Sequence, residues 1–312
     1  MSPRVACVGV YIVDVLGRPV DELPRGQSSR LLDEIRITVA GTAGGTAVDL
    51  ARLGADVLAI GAIGDDNLGN FLTSVLEQEG IPATHLTRKP DVQTSATILP
   101  IHPDGSRPAW HVMGANATLN ADDVPWDALG SCDALHLGGT GALPSLDGES
   151  AARVVKRARE AGALTTADCL GVKREDALEV IKPCLPYTDI FMPNEDEAIA
   201  LTKEPDAASA ARVLRGLGAT CVILKRGERG CLISDDDGER EIPGFEAPVV
   251  DTTGCGDAFC AAVIVAKCDG ASIDEAARRG NAAGALNLRG LGSDAGARSL
   301  DELHEFAGSG VA

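Results

Sequence analysis

The residues best placed to do chemistry form one string late in the chain, Asp251-Thr252-Thr253-Gly254-Cys255-Gly256-Asp257-Ala258-Phe259. Two glycines in a turn lead into an apolar run, Cys260 to Ala266, that reads as a helix. Glycine lets backbone amides approach a ligand closely, and a helix start adds unpaired N–H donors and partial positive charge. Gly254, Cys255 and Gly256 therefore predict an anion hole, able to stabilise charge on a transferring phosphoryl group. Asp257 falls in the first helical turn. There it can complement the helix dipole, or face a crevice and take a proton from an attacking hydroxyl. An isolated Gly-x-Gly-Asp does not choose between these roles.

Other segments add to the set. Asn194, followed by Glu195, Asp196 and Glu197, reads as a helix N-cap with acids in its first turn. Lys225-Arg226-Gly227 through Gly230 reads as a hairpin turn. Cys255 sits where a thiol pKa can fall, yet reads more simply as a small filler residue. The histidines at 85, 102, 136 and 304 show no metal spacing, and Asp235-Asp236-Asp237-Gly238 reads as a solvated turn. No Gly-x4-Gly-Lys-Ser/Thr string is present, which excludes a P-loop kinase. No Gly-x-Gly-x-x-Gly follows the first strand, which argues against a dinucleotide-dependent dehydrogenase.

Taken together, these segments resemble the ribokinase/PfkB family of carbohydrate and nucleoside kinases, in the right order and over nearly all of the chain. The 251–259 string is similar to the family's second signature. Gly41-Thr42-Ala43-Gly44-Gly45-Thr46, running to Ala51-Arg52-Leu53-Gly54, is similar to its first. Gly61 to Gly69 and Gly114-Ala115-Asn116-Ala117 are similar to its intervening segments. The resemblance implies Asp257 as catalytic base and the 254–256 amides as anion hole. It implies Asp14 and the 41–45 loop, with Gly41, Thr42 and Gly45, as the sugar side. Asn194 and Glu197 would order Mg²⁺ and its waters. Lys225, Gly227, Gly230, Gly254, Gly256 and Asn281 would line the ATP site, and Asp168 would lie near the phosphates. Asp251 and Thr253 are the implied oxygens for a monovalent cation such as K⁺, although the 289–294 loop departs from ribokinase.

Leu170 stands where an Asn near the phosphates is usual, and two further departures bear on the substrate. Gly45 stands where the family's sugar-contacting Asn is usual, and Gly138-Gly139 where a ribokinase-type Glu is expected. These predict an acceptor other than ribose, in a roomier pocket or one that uses Asp14, Asp49 or His111. Trp110 and His111 lie in the second insert, where they can cover a ligand, or Trp110 can serve only to fill the lid core. The function expected is ATP-dependent phosphorylation of a sugar hydroxyl, a terminal CH₂OH. The alternatives are a nucleoside kinase and a catalytically silent sugar-binding or regulatory relative. Aromatics at 3% favour a sugar over a stacked base.

Positioning such residues requires a particular scaffold. Short apolar runs alternate with helical patterns, which predicts an α/β fold with a mostly parallel sheet covered on both faces. The resemblance makes it a three-layer, ribokinase-like core with a small β-sheet lid. Strands are predicted at 5–10, 56–60, 134–137, 164–167, 189–192, 221–224 and 231–234. Helices are predicted at 46–54, 67–79, 148–161, 195–203, 206–217, 255–268, 273–288 and 300–307. Ser272 with Glu275, and Ser299 with Glu302, predict capping boxes. About 15–40 and 94–115, apolar and polar residues alternate, as in half-buried antiparallel strands. Both are read as lid inserts in one domain spanning 1–312, and the resemblance implies a homodimer joined through that lid.

Composition sets the outer limits. The net charge of −18 argues against nucleic acid or an anionic membrane surface as partner. The nine cysteines form no CxxC pair, and several lie in apolar runs, so reduced, buried thiols and a cytoplasmic location are expected. Met1 to Val13 reads as a first strand rather than a signal peptide.

Overall fold

A computed structural model describes residues 2–172 and 174–308. In chain order the strands are β1 (Arg4–Gly9), β2 (Ile12–Arg18), β3 (Glu34–Ala40), β4 (Asp56–Gly64), β5 (His85–Lys89), β6 (Ala96–Pro100), β7 (Trp110–Val112), β8 (Ala134–Thr140), β9 (Leu164–Cys169), β10 (Ile190–Phe191), β11 (Cys221–Lys225), β12 (Cys231–Asp235) and β13 (Gly238–Ile242). The α-helices are α1 (Gly44–Arg52), α2 (Asn67–Gln78), α3 (Trp126–Leu129), α4 (Glu149–Glu160), α5 (Ala177–Ile181), α6 (Glu195–Thr202), α7 (Ala207–Gly216), α8 (Cys255–Cys268), α9 (Ile273–Asn287) and α10 (Leu300–Gly308).

Nine strands form one sheet in the order β13-β12-β11-β10-β9-β8-β1-β4-β5. The pairs from β11 across to β5 are parallel, and β12 and β13 add antiparallel at one edge. Apolar residues of α4, α6 and α7 cover one face of the sheet, and those of α1, α2, α8, α9 and α10 cover the other. From Asp257 to Ala266, α8 is buried throughout, as an all-round apolar helix must be. Helix α2 shows how the stripe works. Leu72 and Leu76 face the core and are fully buried, while Leu68, Phe71 and Val75 flank them.

Sequence and structure part at the edges of the sheet. Strand β4 runs on to Gly64 because Gly61–Gly64 pairs with β5, from Gly61↔Leu86 to Gly64↔Lys89. Strands β5 and β13 are polar, half-exposed edge strands with no apolar run to announce them. The two predicted capping boxes form only one arm each. Ser272 Oγ and Ser299 Oγ each accept the N–H of the residue three on, at 3.2 Å. Glu302 instead takes the Arg298 N–H.

The two inserts meet in a second sheet of order β3-β2-β6-β7. Strands β2 and β6 are parallel, and both outer pairs are antiparallel. Strand polarity alternates across this sheet. Asp14, Thr97, Leu99 and His111 face a crevice, while Ile35, Ile37, Ile98 and Trp110 face outward. The crevice lies outside the carboxyl ends of the parallel strands, where the order reverses around β1.

Candidate active site

The loop before α8 is built to present its amides. Gly254 is the N-cap and has φ +79°, a left-handed conformation in which a side chain is strained. A Cβ there would also lie 2.4 Å from Ser293 Cα. Asp251 ties the loop together. Its Oδ1 accepts the Thr253 N–H at 3.0 Å and the Thr253 hydroxyl at 2.8 Å, and its Oδ2 accepts the Gly292 N–H at 2.9 Å. Asn287 Nδ2 donates to the Thr253 carbonyl. Donors held this way need not reorganise when charge develops nearby.

Two cavities meet at this loop. One, of about 830 Å³, lies under the lid and is lined by Asp14, Gly41, Thr42, Thr97, Arg107, His111, Asp168, Glu197 and Asp257, among others. The other, of about 1010 Å³, lies between the 227–230 turn, the 244–249 segment and α9, with Phe245, Val249 and Leu288 as apolar wall. Thr252, Cys255, Gly256, Lys225 and Gly227 line both. Asp257 lines only the cavity under the lid. The amides thus straddle the seam, with the carboxylate on one side of it.

Three consecutive parallel strands deliver the polar groups to this seam: Asp168 near the end of β9, Asn194 just past β10, and Lys225 at the end of β11. Lys225 Nζ donates to Asp168 Oδ2 at 2.7 Å. Asn194 and Glu197 form a reciprocal capping box. Asn194 Oδ1 accepts the Glu197 N–H, and Glu197 Oε2 accepts the Asn194 N–H, both at 2.8 Å. The cap and the site are therefore the same residues. Ligand atoms of Asp168, Cys169 and Glu197 lie within 4.8 Å of one another. Crowding of acids in a buried place disfavours their charged forms. Burial, reinforced by Asp168, pushes Asp257 up to about 8 against the pull of Lys225. Burial pushes Asp14 up to about 6, opposed by the Thr97 hydrogen bond. Glu197 is raised by burial and by Asp168. Burial lowers the His111 imidazole, whose Nδ1 lies 3.1 Å from Thr97 Oγ1.

Several residues expected at the site lie elsewhere. Gly45 and Asp49 do not line either cavity. A Cβ on Gly45 would stand 2.5 Å from Asp257 Oδ2, so the missing side chain is the space the Asp257 carboxyl occupies. Asp49 is buried one turn further along α1, with Oδ2 unpartnered, and its pKa is raised by burial and by Asp257. Gly138 and Gly139 make no extra room for a sugar. Cβ atoms there would meet Thr42 and Val10 at 2.5 Å, because the 41–43 loop packs directly on them. Trp110 faces outward at 51% exposure and lines neither cavity. Asn281 does line the nucleotide-side cavity, but its Nδ2 donates to the Ile242 and Pro243 carbonyls at 3.1 and 3.0 Å, so it holds that wall. Asp251 and Thr253 use their side-chain oxygens within the loop, and Arg107 Nε lies 3.8 Å from Asp251 Oδ1. Cys255 is pushed up to about 12 by burial, which makes it filler and no nucleophile. Of the nine cysteines, Cys255 and Cys268 are half-buried and the other seven buried.

Sequence reasoning missed Arg107, Thr97, Ser293 and the 244–249 wall. Arg107 follows the turn in the second insert, and its Nε donates to Thr252 Oγ1 at 3.3 Å, from lid to loop. Only the insert's position beside the crevice could have pointed to it.

The profile of the pfkB family carbohydrate kinases matches residues 2–299. The chain belongs to the pfkB family of carbohydrate kinases. It is 28% identical over 302 residues to the aminoimidazole riboside kinase of Salmonella typhimurium, covering 93% of this chain and 92% of that one. The ribokinase of Thermotoga maritima superposes over 98% of this pfkB-family chain and 100% of its own, with TM-score 0.82 and 25% identity. The aminoimidazole riboside kinase of Salmonella enterica, solved with aminoimidazole riboside and an ATP analogue, superposes with TM-score 0.79 at 25% identity, over 97% and 99% of the two chains. The three-layer core with its second sheet is thus the ribokinase-like fold, and the protein is a carbohydrate kinase. Among the described residues no helix is long and apolar enough to cross a membrane.

Proposed function

We propose that this kinase transfers the terminal phosphoryl group of ATP to a hydroxyl of a sugar, a terminal CH₂OH, bound under the lid. The observation that carries the reading is the seam. Cys255 and Gly256 line both cavities, while Asp257 faces only the one under the lid. A nucleotide in the larger cavity points its phosphates at the loop amides. An acceptor under the lid then places its hydroxyl against Asp257, which takes the proton as the oxygen attacks phosphorus. Asp14, Thr42, Thr97 and His111 supply the polar contacts for sugar hydroxyls. Among the described residues, those lining that cavity include no Phe, Tyr or Trp, and the imidazole of His111 is the single aromatic ring, which favours a sugar over a nucleoside.

Asp168 and Glu197 converge as hard oxygen donors beside the seam, which suits Mg²⁺ held largely through its waters. Asn194 fixes Glu197 there. When bound, that ion would neutralise phosphate charge. We assign no step to a monovalent cation. The two lid sheets of a homodimer would meet through the outward apolar row Ile37–Val15–Ile98–Trp110, which lies in register across all four strands. A net charge of −18 disfavours contact between copies over most of the surface, and this row carries no acid.

The test is ADP release with ATP and Mg²⁺ across ketoses, aldoses, sugar acids and nucleosides, with and without a chelator, and with Asp257→Asn in parallel. Turnover with one acceptor should fall by about 10²–10⁴-fold in the variant. Turnover unchanged in the variant would remove Asp257 as base. Binding without turnover would point to a silent relative.

A further inference from the structure

Lys225 was expected on the nucleotide side, and it lines that cavity as well as the one under the lid. It ends β11 and reaches back to the seam. There Nζ donates to Asp168 Oδ2 at 2.7 Å and stands 3.2 Å from where a Cβ on Gly256 would be. Among the described residues, Lys225 is the only Lys or Arg lining the nucleotide-side cavity, and Arg107 is the only other one lining the cavity under the lid. Of these two cations, Lys225 alone lines both cavities. The acids Asp168, Glu197 and Asp257 line the lid side of the seam. A phosphoryl group crossing this seam carries negative charge into an acidic, buried place, and Lys225 Nζ, beside Gly256, is a cation within reach of the crossing point.

We propose that Lys225 is a catalytic residue: its ammonium contacts the phosphoryl group in transit between the two cavities and neutralises the charge spreading over its non-bridging oxygens. This rests on the kinase reading above and adds a second electrophilic element to the loop amides. The reaction balances without any change in Lys225. The acceptor oxygen forms its bond to phosphorus, the bond from phosphorus to the β-phosphate oxygen breaks with its electron pair leaving on ADP, and the acceptor proton passes to Asp257. Lys225 stays protonated throughout. Burial works against its charge, but Asp168, Cys260 and Glu197 together more than offset this. Asp168 is a positioning residue, holding Nζ at the seam. The absence of a side chain at Gly256 leaves room for Nζ there.

The experiment uses Lys225→Met and Lys225→Arg in the full chain. A double variant, Lys225→Met with Asp168→Asn, removes the buried carboxylate that Lys225→Met alone would leave unpaired. Thermal unfolding checks that each is folded. Two readouts follow: steady-state turnover on the best acceptor from the panel, and calorimetric binding of Mg·ADP. Lys225→Met should lower kcat by roughly 10²–10³-fold, as loss of one preorganised electrophilic contact does. The KM for the acceptor and the affinity for Mg·ADP should stay within about 3-fold. Lys225→Arg should recover part of the loss.

The acid limb of kcat/KM should also move to higher pH in Lys225→Met, because Lys225 is one of two cations holding down the Asp257 carboxyl. The other groups acting on that carboxyl, Asp168, Asp14, Arg107 and Asp49, are unchanged in the single variant. Folded Lys225→Met, or the folded double variant, with kcat within about 3-fold of wild type overturns the inference and leaves the kinase reading intact. So does a loss of Mg·ADP affinity as large as the loss of turnover, which would make Lys225 a nucleotide-binding residue only. A wild-type chain without turnover on every acceptor overturns the kinase reading, and this inference with it.

Discussion

Replacing Asp257 with Asn should change how stability depends on pH. In the ligand-free protein the Asp257 carboxyl is pushed from 3.8 up to about 8, by burial first and by Asp168 second. In the unfolded chain it returns to the ordinary value. Below pH 3.8 both states hold the proton and there is no penalty. As pH rises from there to about 8 the unfolded state releases the proton while the folded state keeps it, so stability falls, and above 8 the loss is complete. At about 1.4 kcal/mol per pH unit, the change between pH 5 and pH 8 is on the order of 3–4 kcal/mol. Asn has nearly the same shape and cannot ionise. The variant should therefore gain on wild type between those pH values, by several degrees in Tm, taking roughly 2–4 °C per kcal/mol for a domain of this class. Asp14 and Glu197 are raised in the same sense and both proteins carry them, so most of their contribution cancels in the difference, while Asp49, which is raised by Asp257 as well as by burial, is eased in the variant and adds to the gain in the same direction. The assay is thermal unfolding of both proteins without nucleotide or metal, from pH 5 to pH 8. A Tm difference that stays flat to within about 1 °C would show that Asp257 titrates as an ordinary carboxyl, and would refute the reasoning.

Other substitutions probe the same architecture. Gly45→Ala places a Cβ 2.5 Å from Asp257 Oδ2, so the carboxylate must move. Since a misplacement of about 1 Å can lower turnover by about 100-fold, kcat should fall well over tenfold with the KM for ATP little changed, read by steady-state kinetics. Equal kcat would mean the carboxylate has slack at this contact. Ile98→Glu puts a charge in the outward row of the lid, where Ile98 is 57% exposed. Light scattering should show a dimer for wild type and a monomer for the variant, while a monomeric wild type would remove the lid interface.

Much of the scaffold can be read locally. The helix stripe of α2, the buried runs of β1, β8 and β11, and the alternation in the two inserts each follow from burial of apolar residues at a fixed period. Edge strands β5 and β13 could not be read, because they are stabilised by a neighbour's backbone rather than by their own apolar residues. At the site, the amide loop and the Asn194/Glu197 cap are local motifs, so residue types and spacing reveal them. Gly45, Gly138 and Gly139 read as gaps in a pocket, and each turned out to be filled by a partner distant in the sequence.

The chain's own order of residues determined the fold class, the anion-binding turn, the carboxylate after it and the family, because these rest on contacts within a few residues or on strings met in order. Only the tertiary structure decided which groups face one another. It set Asp168, Asn194 and Lys225 side by side at the ends of β9, β10 and β11, brought Arg107 from the lid to Thr252, and turned Trp110 away from the site. The physical reason is that parallel pairing joins strands separated by whole helices, and the side of a strand that meets a cavity depends on register with a distant partner. Neither is written in any local stretch of sequence.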